Sequence, residues 1–188
     1  MNESKNTPEI KRLSRSLKYE NNWMKVYEDS IERQNGQRGI YGLVEKPAFS
    51  LIIPLDETGK FTYMVEQFRY PLGLRTLEFV QGSMEKEDLN VIENARRELK
   101  EETGLAAENI EEIGTFFTAV GFSNQIGHVF LARGLAQETN CLDEEESDLI
   151  CKKLPVSEVD KLMKENSIKD SGSISAWFLF KSHLCAGE

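Results

Sequence analysis

The stretch Arg97-Glu98-Leu99-Lys100-Glu101-Glu102-Thr103-Gly104-Leu105 constrains this chain more than any other. It puts three carboxylates on about one helical turn and then stops the helix with a glycine. Residues at i, i+3 and i+4 share a helix face, so Glu98, Glu101 and Glu102 are expected to project together. At ~6 Å and an effective dielectric of ~20, each like-charged pair repels by about 3 kcal/mol, against roughly a few tenths of a kcal/mol in open water. A folded cleft holding this trio therefore needs a compensating cation. All-oxygen donors suit hard divalent ions, Mg²⁺ or Mn²⁺. The competing reading is an acidic helix face turned to solvent.

The flanking sequence favours the cleft. Arg97 can pair with Glu101 at i, i+4 and hold that carboxylate in place. Ile92, Ala95 and Leu99 follow three- and four-residue steps, which predicts a buried side opposite the acidic one. Gly104 reads as a left-handed stop. Upstream, Gln81-Gly82-Ser83 breaks an apolar strand-like run, Thr76–Val80. The expected unit is strand, glycine loop, acidic helix over roughly 88–103, glycine.

That unit resembles the Nudix hydrolase signature, G-x5-E-x7-R-E-U-x-E-E-x-G-U with U apolar. Arg97, Glu98, Leu99, Glu101, Glu102, Gly104 and Leu105 match its second half residue for residue. The first half departs from it. Gly82 stands one residue further from Arg97 than the pattern has it, so the expected loop glutamate falls on Asp88 or Leu89 according to the direction of counting. A one-residue insertion in the loop accounts for this and leaves the helix intact.

Composition sets the outer limits. The 188 residues, 39% hydrophobic and 29% charged, fit one compact domain with a small appendage. A net charge of −9 argues against a general binder of nucleic-acid backbones, although a metal and a few arginines suffice for one diphosphate. Cys141, Cys151 and Cys185 are odd in number, widely spaced and without a C-x-x-C pair, which points to a reducing compartment, with the cytoplasm as the expected location. No run of about 18 apolar residues exists to span a membrane, and no apolar leader segment follows Met1.

Strands dominate the first half of the chain. Residues 1–16 are polar and basic and are expected to be mobile at their start. Trp23–Ile31 and Gly39–Val44 read as strands joined through the Asn35-Gly36 hairpin signal. Phe49–Leu55 reads as a buried strand and Phe61–Phe68 as another. Thr76–Val80, Ile113–Ala119 and His128–Ala132 complete the expected strands, while Val156–Glu165 and Ser173–Ser182 read as closing helices. The layering implied is an α/β/α sandwich on a mixed β-sheet, the Nudix-type fold, with residues 1–47 as a small N-terminal β appendage and 48–188 as the main domain.

A second constellation narrows the resemblance. Val65-Glu66-Gln67-Phe68-Arg69-Tyr70-Pro71 and Leu77-Glu78-Phe79-Val80-Gln81-Gly82 look like the E-Q-x-R-x-P and W/L-E-x-P-x-G segments of ADP-ribose pyrophosphatase and nucleoside diphosphate sugar hydrolase members. Val80 stands where the second segment has proline. Gly121–Gln125 is similar to the P-G-x-x-x-E region without its proline or glutamate, and Ile168-Lys169-Asp170-Ser171 resembles the I-x-D-A stretch before the last helix. The resemblance implies Mg²⁺ or Mn²⁺ held by Glu98 and Glu102 with help from Glu101, and a further oxygen from the carbonyl of Gln81 or Gly82.

It also implies Arg69 at the substrate diphosphate, because a guanidinium fork donates two hydrogen bonds to phosphate oxygens. An ion pair with Glu66 or Glu78 is the other reading of Arg69. Glu78 is a further site carboxylate or simply alternates along a strand edge. Arg75 is a weaker phosphate candidate, and Phe122 or Tyr70 are candidate nucleobase stackers. The general base is expected from Asp143–Asp148, with Glu146 first and Asp148 and Glu145 behind it; His128 and His183 are expected to be structural or at the surface. The implied reaction is hydrolysis of a nucleoside diphosphate joined to another group, giving NMP and a phosphorylated remainder. Two rival readings are a catalytically silent module sensing ADP-ribose or a related nucleotide and an acidic binder of basic partners. A homodimer through the N-terminal strands is a further implication of the resemblance.

Overall fold

A computed structural model of the chain describes residues 9–85, 90–138 and 149–186. It divides into two compact units. One is Met1–Pro47, as far as it is described, with Ala119–Gln125; the other is Ala48–Thr118 with Ile126–Glu188.

The first unit is an antiparallel meander of β1 (Ile10–Glu20), β2 (Lys25–Arg33) and β3 (Arg38–Glu45). The Asn21 side chain accepts the N–H groups of Trp23 and Met24 at 2.9 and 2.8 Å and turns β1 into β2. Gly36, at φ +78°, takes the left-handed position in the turn from β2 into β3. From Ile10 onward the polar, basic segment is strand β1, which the sequence reading did not assign and which is exposed along its whole length. A strand that buries neither face leaves no period-two signal. Arg15 instead ties β1 to its neighbours, with two bonds to Asp29 at 2.8 and 2.9 Å and one to Glu45 at 2.7 Å.

The second unit follows as β4 (Phe49–Pro54), β5 (Phe61–Arg69), β6 (Leu74–Glu78), β7 (Val80–Ser83), α1 (Val91–Thr103), β8 (Leu105–Phe117), β9 (Ile126–Gln137), β10 (Ile150–Pro155), α2 (Val156–Lys164) and α3 (Ser171–Ala186). Its strands form two sheets, ordered β10-β5-β6 and β7-β4-β9-β8. The β4–β9 pair is parallel and the other pairs are antiparallel, so the four-stranded sheet is mixed.

Successive side chains of a strand point to opposite faces, and here the two faces feed two cores. Leu51, Ile53, Val129 and Leu131 pack with Val159, Trp177 and Phe180 of α2 and α3. Ile52, Phe130 and Ala132 pack with Ala95 and Leu99 of α1. The sheet therefore lies between helices on both sides, the α/β/α layering expected from the sequence.

Several boundaries differ from the sequence reading. Thr76–Val80 is not one strand. It breaks at Phe79, with β6 in the three-stranded sheet and β7 in the four-stranded one. The expected Ile113–Ala119 strand is the end of a longer one that begins directly after Gly104 and stops at Phe117. Strand β10 was not expected. It pairs with β5, Ile150 opposite Glu66 and Pro155 opposite Phe61.

Candidate active site

Helix α1 begins where Asn90 caps it. The Asn90 side chain accepts the N–H groups of Ile92 and Glu93, both at 3.0 Å, so the helix starts at Val91 rather than near 88. It ends at Gly104 in the left-handed region, φ 69°, whose N–H returns to the Lys100 carbonyl at 2.8 Å.

The buried side is not opposite the acids, as the sequence reading had it. Glu98 and Glu102 are 5% and 1% exposed and share the buried stripe with Asn94, Ala95 and Leu99, whereas Ile92 is 40% exposed. Asn94, Glu98 and Glu102 form an i, i+4, i+8 polar row along one helix face. Glutamates are almost never buried without partners, so the row must meet compensating groups.

Strand β7 supplies several of them. The Gln81 N–H donates to Glu102 Oε2 at 3.2 Å, and Asn94 Nδ2 donates to the Gly82 carbonyl at 2.9 Å. A Cβ on Gly82 would stand 1.9 Å from the Glu98 Cδ, so only glycine lets this strand run beside that carboxylate. Arg97 supplies the charge. Its guanidinium donates to Glu101 Oε2 at 2.6 Å, Glu98 Oε1 at 2.8 Å and Asn94 Oδ1 at 2.7 Å. Part of the mutual repulsion of the carboxylates is thus relieved by the arginine beside them.

A second cluster adjoins the first. Arg69 meets Glu78 through Nε–Oε1 at 2.8 Å and Nη2–Oε2 at 2.5 Å, the parallel two-point geometry that suits a guanidinium and a carboxylate. Glu78 also accepts from the Thr76 hydroxyl and, at 2.5 Å, from Gln81 Nε2. Burial opposes the charged form of Glu78, but Arg69, Thr76 and Gln81 together hold its carboxyl below the usual range. The Glu78 bond likewise raises Arg69, with Asp170 and Glu102 adding to the effect. Asp170, which the sequence reading gave no role, accepts from Gln81 Nε2 at 3.4 Å.

Metal fit follows from these donors. Among the described residues, no group of three or more His, Cys, Asp or Glu side chains is arranged to hold an ion. The expected trio is therefore not one cage, and Glu101 turns to Arg97. Two buried carboxylates beside the backbone of strand β7 remain, all oxygen donors. That set suits Mg²⁺, which keeps several waters and is commonly held by one or two carboxylates plus substrate phosphates.

Phe122 is 56% exposed and belongs to the first unit, in Ala119–Gln125. Arg75 pairs with Glu66 at 2.9 Å. His128 pairs with Glu112 at 2.8 Å. Burial pushes the Cys151 thiol up to about 11, helped by Glu102, which suits a structural thiol rather than a nucleophile. Glu145, Glu146, Asp148 and the loop positions Asp88 and Leu89 lie outside the described residues.

Comparison with known proteins matches the NUDIX domain over residues 44–178 and the nucleoside diphosphate sugar hydrolase N-terminal domain over residues 10–44. This chain belongs to the Nudix hydrolase family. A Bacillus subtilis relative, named ADP-ribose pyrophosphatase, is 34% identical to this Nudix chain over 73% of it and 75% of the relative. A Bacillus methanolicus relative, named methanol dehydrogenase activator, is 38% identical over 81% of this chain and 82% of its own. A Mycobacterium tuberculosis ADP-ribose pyrophosphatase is 30% identical over 78% of this chain and 71% of its own. The crystal structure of an ADP compounds hydrolase superposes with a TM-score of 0.84 and 21% identity over 98% of each chain, which establishes the shared Nudix fold. The Nudix chain is accordingly a pyrophosphohydrolase, as its helix motif implied.

Proposed function

We propose that this enzyme hydrolyses the diphosphate bond of a nucleoside diphosphate joined to a further group, with ADP-ribose as its substrate and AMP and ribose 5-phosphate as products. The observation that carries this reading is the pair of buried carboxylates, Glu98 and Glu102, packed against Gln81 and Gly82. The names of the two ADP-ribose pyrophosphatases among the relatives support the choice of sugar nucleotide.

Glu98 and Glu102 would hold Mg²⁺ or Mn²⁺, with a strand carbonyl at Gln81 or Gly82. The bound ion would offset charge on the phosphoryl oxygens and lower the pKa of an attacking water. Arg97 keeps Glu98 and Glu101 in place. Arg69 gives its Nε and Nη2 edge to Glu78, so its Nη1 side is directed away from that carboxylate and serves the diphosphate. The water oxygen bonds to phosphorus, the bridging P–O bond breaks, and the water's proton passes to Glu146 as general base. Exposed Ile10, Leu13, Leu17 and Tyr19 on β1 support association of two copies into a homodimer. The free Cys151 and Cys185 support a cytoplasmic setting.

The test is a panel of ADP-ribose, ADP-glucose, GDP-mannose, NADH and dinucleoside polyphosphates with Mg²⁺ or Mn²⁺, scored by NMP release. AMP from ADP-ribose at the highest kcat/KM is the expected result; no NMP from any member overturns the proposal. The Bacillus methanolicus relative, whose name describes action on another enzyme, supports a second reading as a nucleotide-sensing module. Retained ADP-ribose binding without AMP release would favour it.

A further inference from the structure

The break between β6 and β7 leaves a backbone donor to account for. Phe79 is fully buried at the point where the chain leaves one sheet for the other, and its N–H donates to Ser173 Oγ on α3 at 2.9 Å. A buried N–H without a partner would carry its full desolvation cost, so this hydroxyl is what makes the crossing tolerable. The Phe79 ring stacks on Trp177 of the same helix, one turn further on, with centroids 5.9 Å apart and planes at 16°.

The helix start makes a second grip. Ser173 N–H donates to Asp170 Oδ2 at 2.7 Å, and the same oxygen accepts from Gln81 Nε2 at 3.4 Å. Gln81 in turn donates its backbone N–H to Glu102 and its side chain to Glu78. The approach is close, since a Cβ on Gly172 would stand 3.1 Å from both Gln81 Oε1 and Asp170 Oδ2. The three residues from Phe79 to Gln81, at the start of the strand that bears Gln81 and Gly82, are therefore held at both ends by groups from the far end of the sequence.

We propose that Ser173 and Asp170, at the start of α3, are positioning residues that set Gln81 and Gly82 against Glu98 and Glu102. They touch neither the substrate nor the ion. They act through the strand, so the C-terminal helix completes the site formed by α1 and β7. This rests on the functional reading above, because the quantity they control is the ion site.

The test uses the full chain and Mn²⁺ alone, without substrate. Mn²⁺ affinity is read by electron paramagnetic resonance, together with hydrogen exchange at the Phe79 amide and Tm. Ser173→Ala and Asp170→Ala are expected to weaken Mn²⁺ binding by about tenfold or more, the range typical of groups that orient a metal ligand. Ser173→Ala also exposes the Phe79 amide to faster exchange. Ser175→Ala, whose hydroxyl bonds to the Ser171 carbonyl, serves as the control with unchanged affinity. Asp170 is only partly buried, so its variant reports on the site even if Ser173→Ala folds poorly. Wild-type Mn²⁺ affinity in Asp170→Ala and in folded Ser173→Ala, with Tm alone lowered, overturns the proposal. A wild-type chain that binds no Mn²⁺ overturns the functional reading and this inference together.

Discussion

Arg69 and Glu78 face each other edge to edge, joined at 2.8 and 2.5 Å, with the carboxylate 2% exposed and the arginine side chain 38% exposed. Removing the arginine strands a buried charge. Arg69→Ala is expected to destabilise the fold by about 2 to 3 kcal/mol, below the figure for a fully enclosed pair because one partner is partly solvated. Urea unfolding of Arg69→Ala, Glu78→Gln and the double variant checks this: the double variant should lose less than the sum of the singles. Strict additivity would show that the pair is not coupled.

Gly82 permits a separation of site from stability. A methyl group there would land 2.0 Å from Glu98 Oε1, and the flexible end of that side chain must move away. Gly82→Ala is therefore expected to cut turnover by roughly two orders of magnitude while shifting Tm by no more than about 4 °C. Steady-state kinetics and a thermal melt, run side by side, decide it. Near-normal turnover would mean that the position of Glu98 is unimportant.

Acid should weaken the fold. Glu78 is held low by its hydrogen bonds against the opposing effect of burial, Asp29 by Arg15, and Glu66 by Lys152 and Arg75. Between the depressed native values and the ordinary ones, the unfolded chain binds more protons than the native chain, so stability rises with pH there. This contribution is complete by about pH 5 and is lost as pH falls through the native values. Urea midpoints should be flat from neutrality to about pH 5 and fall below it; a rising midpoint on acidification would reverse the sign.

Glu102→Gln keeps the shape of the side chain and removes its charge. Turnover of ADP-ribose should drop by at least about two orders of magnitude, with Tm within about 4 °C of the parent. Chelation by EDTA should abolish the parent's activity and added Mg²⁺ restore it. Equal rates for parent and variant would contradict the role given to Glu102.

What the sequence disclosed follows a physical division. Local chemistry was readable: Gly104 stops α1, Asn35-Gly36 turns β2 into β3, and Arg97 reaches Glu101 one turn away. The unbroken apolar run Phe49–Leu55 read as a buried strand, and Leu51, Ile52 and Ile53 of that strand are fully buried, their side chains divided between the two cores. Burial of Glu98 and Glu102 was hidden because hydropathy assigns any glutamate to solvent, although the Asn94, Glu98, Glu102 spacing carried a signal. The sheet change at Phe79 could not be read, since Thr76–Val80 is continuous in pattern and its deciding partner, Ser173, lies 94 residues on. Strand β1 escaped because it buries no face.

The most direct measurement is anomalous diffraction from a crystal soaked in Mn²⁺. The account predicts a peak about 2.1 Å from carboxylate oxygens of both Glu98 and Glu102, beside Gln81 and Gly82. No peak there, with those carboxylates still paired only to protein groups, would contradict it.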